Sequence, residues 1–130
     1  MRVTGADKLA KQFRKMPKTV EARLVKTVKR NTESTARLAR GLVPEDSGEL
    51  KSWIFTEYEE GGLVGSVEAA PPTKEAQIKA RAVEFGRKNG ERGVTEPSPY
   101  LRIAQQHTGK KFQRAVKAAI RKGLKEATGG

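Results

Sequence analysis

Apolar residues recur at helical spacing through two long stretches of the chain and alternate through a short one between them. In the first stretch Val20, Leu24, Val28, Thr35, Leu38 and Leu42 fall on one side of a helical wheel, with Arg23, Lys26, Lys29, Arg30, Arg37 and Arg40 on the other. Neither proline nor glycine interrupts the run between Lys18 and Arg40. The spacing predicts a single amphipathic helix of roughly 20 residues or more. A shorter helix is expected before it, over residues 5–16, with Leu9, Phe13 and Met16 in phase and Pro17 as the stop. Thr19 is the expected cap of the long helix. The last stretch predicts a helix over about 100–127, with Phe112, Val116, Ile120 and Leu124 as its apolar stripe and a break near Thr108-Gly109. Arg114, Lys117, Arg121 and Lys125 lie opposite that stripe, and Thr128-Gly129-Gly130 reads as a C-cap or a frayed tail.

Between the helices the period shortens to two. Residues 50–58 set Leu50, Ser52, Ile54 and Thr56 against Trp53, Phe55 and Glu57, the signature of a half-buried strand. Glu59-Glu60-Gly61-Gly62 is a hairpin turn, and Leu63 to Val67 is the return strand. A loop follows from Ala69, flexible to about residue 77, and Ile78 to Phe85 reads as a third strand or a helix-to-strand passage. Residues 86–98 are rich in glycine and poor in apolar side chains, the mark of a long loop. The change of period falls at Val43–Ile54. Pro44 cannot continue a helix, and Asp46, Ser47 and Gly48 supply turn chemistry.

The expected fold is one α+β domain over residues 1–130: two N-terminal helices, a small antiparallel sheet and a C-terminal helix packed on one face of that sheet. Hydrophobic residues make up 35% of the chain and charged residues 32%, so the core is modest. No run is long enough for a membrane span, and no secretory segment follows Met1. There is no cysteine, hence no disulfide framework, and the single histidine, His107, argues against an ordinary zinc site.

Charge is unevenly spread. Residues 1–42 carry 12 Lys/Arg against 3 acids, residues 43–96 carry 7 against 11, and residues 97–130 carry 8 against 1. Both helical ends are basic and the middle is acidic. Such a chain can stack head to tail with copies of itself or present a basic surface to nucleic acid. Arg23, Lys26, Arg30, Arg37, Arg114, Lys117 and Arg121 are the candidate contacts to DNA or an acidic partner, although a solvated helix face is the plainer account of each.

Catalysis finds little footing. Of the candidate acids Glu45, Asp46, Glu57, Glu59, Glu60 and Glu84, most fall in turns or at strand ends, where solvated carboxylates are ordinary, and His107 lies in a polar helix segment. Gly61-Gly62-Leu63-Val64-Gly65 lacks the lysine and following helix of a phosphate loop. No catalytic, cofactor or metal residue is assigned, and no enzyme activity is expected. No zinc finger or aromatic-rich sheet marks a sequence-specific nucleic-acid reader. Glu84, set between Val83 and Phe85, is expected near the core, paired with a basic side chain such as Arg102, because a carboxylate among apolar neighbours is costly unless matched.

Three blocks stand in order: Leu42 to Ile54, Ala80 to Gly86, and Pro97 to Ala104. Together they resemble the HK97-type tail-component family of long-tailed bacteriophages and prophages, whose members are small head–tail joining or tail-completion proteins. The resemblance spans essentially the whole chain. It rests on Pro44, Asp46, Gly48, Leu50 and Trp53 in the first block, Glu84, Phe85 and Gly86 in the second, and Pro99, Tyr100 and Arg102 in the third. Lys79 stands where members often carry an aromatic residue, and Ile103 where a second proline is common, which leaves the helix start less sharply bent. The resemblance implies a structural virion protein at the head–tail junction, assembled in the host bacterial cytoplasm as a homo-oligomeric ring around the DNA exit channel. Its implied partners are connector or stopper, tail-terminator and tail-tube proteins, with non-specific contact to packaged DNA, no cofactor and no membrane. A sequence-independent basic DNA-binding protein is the alternative.

Overall fold

The structure is a computed structural model and describes residues 2–5, 16–43, 48–85 and 99–129. Strand β1 (Arg2–Gly5) is followed by helix α1 (Lys18–Leu42), a single helical turn α2 (Gly48–Ser52), strand β2 (Ile54–Glu59), a 3-10 turn (Glu60–Gly62), strand β3 (Val64–Ala69), helix α3 (Lys74–Phe85) and helix α4 (Tyr100–Ala127). The α+β class holds, with long helices, a small antiparallel sheet, and α4 packed along α1 and against the sheet.

Helix α1 forms because its apolar side is continuous. Val20, Leu24, Val28, Thr32, Thr35, Ala36 and Ala39 are buried, while Lys26, Lys29, Arg30 and Arg37 are exposed. Its first residue is Lys18 with Pro17 as N-cap, so Thr19 does not cap it. The Thr19 hydroxyl is taken by tertiary structure instead, donating to the Gly123 carbonyl at 2.7 Å. Helix 5–16 is not supported at its ends: Gly5 closes β1, and Met16 is not helical. Residues 6–15 lie outside the described residues.

The sheet has the order β1-β3-β2, antiparallel throughout. In β2 the alternation runs as expected from Ile54 onward, with Ile54 buried, Thr56 and Tyr58 half-buried, and Phe55, Glu57 and Glu59 exposed. Ile54 pairs with Ala69, Thr56 with Val67 and Tyr58 with Gly65, which sets all six on the face turned toward α1. The strand does not reach back to Leu50. Residues 48–52 form a helical turn instead, closed by the Ser52 hydroxyl on the Glu49 carbonyl at 2.6 Å and by Trp53 N–H on Leu50 O at 3.1 Å. Leu50, Ser52 and Ile54 are equally in phase with a strand there, and the local side-chain bond decides for the turn. The 59–62 hairpin occurs as expected, and Glu60, Gly61 and Gly62 all take positive φ.

Residues 69–77 are not a loop throughout, nor is 78–85 a strand. β3 includes Ala69, and α3 begins at Lys74. Thr73 caps α3, its hydroxyl accepting from Ala76 N–H at 3.1 Å and its carbonyl from Gln77 N–H at 2.9 Å. Two prolines, a threonine cap and a run of good helix formers make a helix-start signal that outweighs the β-branched Ile78 and Val83. The third strand is β1, whose four residues are too few to show a period. Pro44, Asp46, Gly86 and the loop 86–98 lie outside the described residues.

Helix α4 runs unbroken through Thr108 and Gly109. A Cβ at Gly109 would meet nothing within 4 Å, so no packing demand bends the helix there. The buried seam of α4 is Tyr100, Leu101, Ala104, Val116, Ala119 and Gly123. Phe112 and Ile120 are half-buried, and Leu124 is exposed, so the expected stripe is displaced toward small residues. Small residues win because α1 and α4 cross closely: a Cβ on Gly123 would lie 2.5 Å from Val20 Cα. Gly129 takes φ +71° and its N–H reaches Glu126 O at 3.2 Å, ending the helix in the left-handed manner expected of a C-terminal glycine.

Candidate functional site

The three sequence blocks are far apart in the chain and meet in one core cluster. Val43, Leu50 and Ile54 come from the first block, Ala80 from the second, and Tyr100, Leu101 and Ala104 from the third. Ala36 and Ala39 of α1 and Val67 and Ala69 of β3 complete the cluster, and Trp53 packs half-buried on its edge. Leu50 and Tyr100 have no exposed surface. Trp53 also begins the strand pairing, its carbonyl accepting from Ala70 N–H at 3.0 Å.

Glu84 fastens the second block to the third. It is only 4% exposed, as its apolar neighbours in sequence suggest. Its partner is not the Arg102 side chain, which is exposed. The carboxylate accepts from two backbone amides, Leu101 N–H at 3.1 Å and Arg102 N–H at 3.2 Å. These are the second and third residues of α4, whose N-cap, Pro99, has no side-chain acceptor to offer. The first amides of a helix have no partner within the helix, and its dipole favours negative charge there. A carboxylate from a neighbouring helix supplies both requirements. The two bonds and the dipole offset the desolvation that makes a buried acid costly. Burial, and then the charge on Glu84, raises the Tyr100 hydroxyl well above the ordinary tyrosine range. Phe85 closes α3 one residue after Glu84, and Gly48 opens α2.

A second polar bridge joins α1 to the sheet. Glu33 accepts from the Tyr58 hydroxyl at 2.9 Å, with the Thr56 hydroxyl at 3.5 Å. Burial, followed by that hydrogen bond, pushes the Tyr58 pKa up from 10.0 to about 12. The Arg40 guanidinium donates to Ile54 O at 2.9 Å, so Arg40 ties α1 to β2 despite its place on the basic side of the wheel. Between the long helices, the Thr35 and Thr108 hydroxyls meet at 2.7 Å in the buried seam.

The basic candidates divide. Arg23 pairs with Glu126 across the α1–α4 seam and so serves an internal contact. Lys26, Arg30, Arg37, Arg114, Lys117 and Arg121 are exposed. His107 is exposed as expected. Glu33, Thr19, Thr35 and Thr108 were not legible as bridging residues, because each bridge needs a partner more than 20 residues away. A local hint of the close seam is the run of small residues Ala115, Ala119 and Gly123 at i,i+4 spacing on α4. Among the described residues no helix is long and apolar enough to cross a membrane. Comparison with protein-family models, with curated proteins and with solved structures gives no match.

Proposed function

We propose that this chain is a structural assembly protein of a phage or phage-derived particle, a neck or tail-completion component joining head to tail. It acts as one subunit of a ring around the DNA exit channel, in contact with connector or stopper proteins on one side and tail-terminator or tail-tube proteins on the other. Its role is architectural, with no reaction attached.

The convergence of the three blocks on one cluster carries this proposal. Each block by itself has a local account: a helix stop, a helix end, a helix start. Their meeting around Leu50, Ala80 and Tyr100, fastened by Glu84, explains why the residue types occur together in one chain. It supports the family resemblance that those residues carry. A rigid joint of this kind also suits a ring subunit, which must hold its outward surfaces in fixed relation. Phe55, Ile78, Ile103 and Leu124 are exposed on three different elements and offer apolar surface for subunit contacts.

The test is assembly. Purified protein is mixed with phage connector and tail-tube proteins, then measured by light scattering and imaged by negative-stain electron microscopy. Rings whose mass is a whole multiple of the 14.3 kDa chain are the expected result. Persistent monomers in the presence of those partners would remove the proposal.

A further inference from the structure

Helices α1 and α4 lie antiparallel, held at one end by the Val20–Gly123 approach and further along by the Thr35–Thr108 hydrogen bond. Between these two contacts lies a cleft of about 280 Å³. Its surface is mostly apolar, and the half-buried Phe112 forms part of it. Arg30 of α1 and Lys111 of α4, both exposed, stand on its two walls, and no acid lines it. Such a lining suits an apolar group carried beside a negative charge. A bare anion would leave Phe112 uncovered, and a neutral apolar group would desolvate two cations without a partner.

The chain's own surface offers one such group. Among the described residues the exposed large hydrophobics are Phe55, Ile78, Ile103 and Leu124. The last three each stand next to a cation, Lys79, Arg102 and Lys125 respectively. Phe55, 38% exposed, is the exception. Strand β2 carries Glu57 and Glu59 and no cation, and alternation along the strand sets both acids on the face of Phe55. Glu57 is exposed. This face turns away from α1, because Ile54, Thr56 and Tyr58 face that helix. One wall of the cleft is α1, so the two surfaces cannot meet within one chain. Neither surface suits its own kind: two β2 faces would oppose acids, and two clefts would oppose cations.

We infer that the α1–α4 cleft of one copy receives the β2 face of a second copy, with Phe55 against Phe112 and Glu57 between Arg30 and Lys111. An aromatic anchor seated in a pocket commonly dominates a protein interface, and charge complementarity around it fixes the register. The contact joins two different surfaces. Each copy therefore keeps a cleft or a β2 face open to the next, which closes a ring or extends a filament. The inference rests on the ring reading above for the step from pair to ring. The pairing itself is tested on the chain alone, so it can fail while assembly with connector proteins stands, and the reverse.

Sedimentation velocity of the purified full-length chain, over a range of protein and salt concentrations, reads the pairing. Wild type is expected to associate reversibly, and less tightly as salt rises. Arg30→Glu with Lys111→Glu in one variant, and Phe55→Ala with Glu57→Gln in another, should each weaken association roughly 10- to 100-fold. Mixed in equal amounts, the two variants should form heterodimers that grow no further, because the pair holds one intact cleft and one intact β2 face. The charge-matched control is Lys74→Glu with Lys79→Glu, on exposed positions of α3, and it should associate like wild type. Circular dichroism melting checks that each variant is folded. Equal loss in the control would mean that only net charge matters and would overturn the inference. So would a mixture that stays monomeric, or a cleft or β2 variant that associates like wild type. A wild type still monomeric at about 1 mM, where even weak pairing shows, would leave the cleft to a small anion or another protein and overturn it too.

Discussion

Alanine is normally welcome inside a helix, yet at Gly123 it should destabilise this protein. Replacing a helical glycine by alanine gains about 1 kcal/mol from backbone entropy alone. At Gly123 the new Cβ would lie 2.5 Å from Val20 Cα and 2.8 Å from both Val20 N and Val20 Cγ2, where ordinary contact begins at 3.4 Å. Two of those neighbours are backbone, so no rotamer change relieves them, and the helices must part by about 0.9 Å at the crossing. A gap of that size forfeits a quarter to a half of the local dispersion attraction. Overpacking of this kind costs about 1–3 kcal/mol. The Thr19–Gly123 hydrogen bond, 2.7 Å long, is stretched in the same movement, at a cost of about 1 kcal/mol. After the propensity gain, Gly123→Ala should lose about 1–3 kcal/mol. For a chain of 130 residues each kcal/mol corresponds to about 3–4 °C in Tm, so a fall of about 3–12 °C is expected. Gly109 on the same helix is the internal control, because its Cβ would meet nothing within 4 Å. Gly109→Ala should raise Tm by about 2–4 °C. Calorimetric or circular dichroism melting of both variants reads the contrast. If Gly123→Ala melts at or above the wild type, α1 and α4 do not cross at Val20, and the packing described for the seam is wrong.

Three further outcomes follow from other contacts. Glu84→Gln keeps the shape but turns an NH2 group toward one of two backbone N–H donors, so it should cost about 1.5–3 kcal/mol, read as a lower urea midpoint at unchanged m-value. A midpoint equal to wild type would show that the α4 amides are satisfied otherwise. Gly65→Ala would set a Cβ 2.0 Å from Thr32 Oγ1 and 3.0 Å from Val28 Cγ1, lifting α1 off the sheet at about 1–3 kcal/mol. Thr32→Ala in the same chain should recover part of that loss, and strict additivity of the two changes would count against the contact. Tyr58 has a folded pKa of about 12 against 10.0 unfolded, so the folded state holds its proton more tightly. Its stabilising contribution is complete below pH 10 and is lost as pH rises from 10 to about 12, because the unfolded chain ionises first. Tyr58→Phe should flatten that part of the stability–pH curve, to which Tyr100 also contributes. An unchanged curve would mean that Tyr58 is not held by Glu33.

Helix α1, strand β2 from Ile54, the 59–62 hairpin and most of α4 were legible in the sequence, because each declares itself by a period or a turn signal within a few residues. The burial of Glu84 could also be read, since a carboxylate between Val83 and Phe85 has little choice but the interior. Its partner could not. The amides of Leu101 and Arg102 lie 17 and 18 residues away, and backbone groups carry no mark in sequence. Reading residues 78–85 as a third strand or a helix-to-strand passage, where the helix runs from Lys74 to Phe85, gave the apolar residues of the second block more weight than the cap at Thr73.

Alone, the sequence determined which stretches are amphipathic, where the charge lies and which three blocks stand in order. Tertiary structure decided that Thr19 spends its hydroxyl on Gly123, that Glu33 bridges to the sheet, and that Arg40 is an internal tie. It also decided that Arg30 and Lys111 share a cleft, although 80 positions separate them in the chain. Periodicity is a property of neighbours along the chain, whereas each of these pairings depends on how two helices and a sheet are set against one another. That setting is fixed by close approaches at Gly65 and Gly123, residues whose contribution is the absence of a side chain.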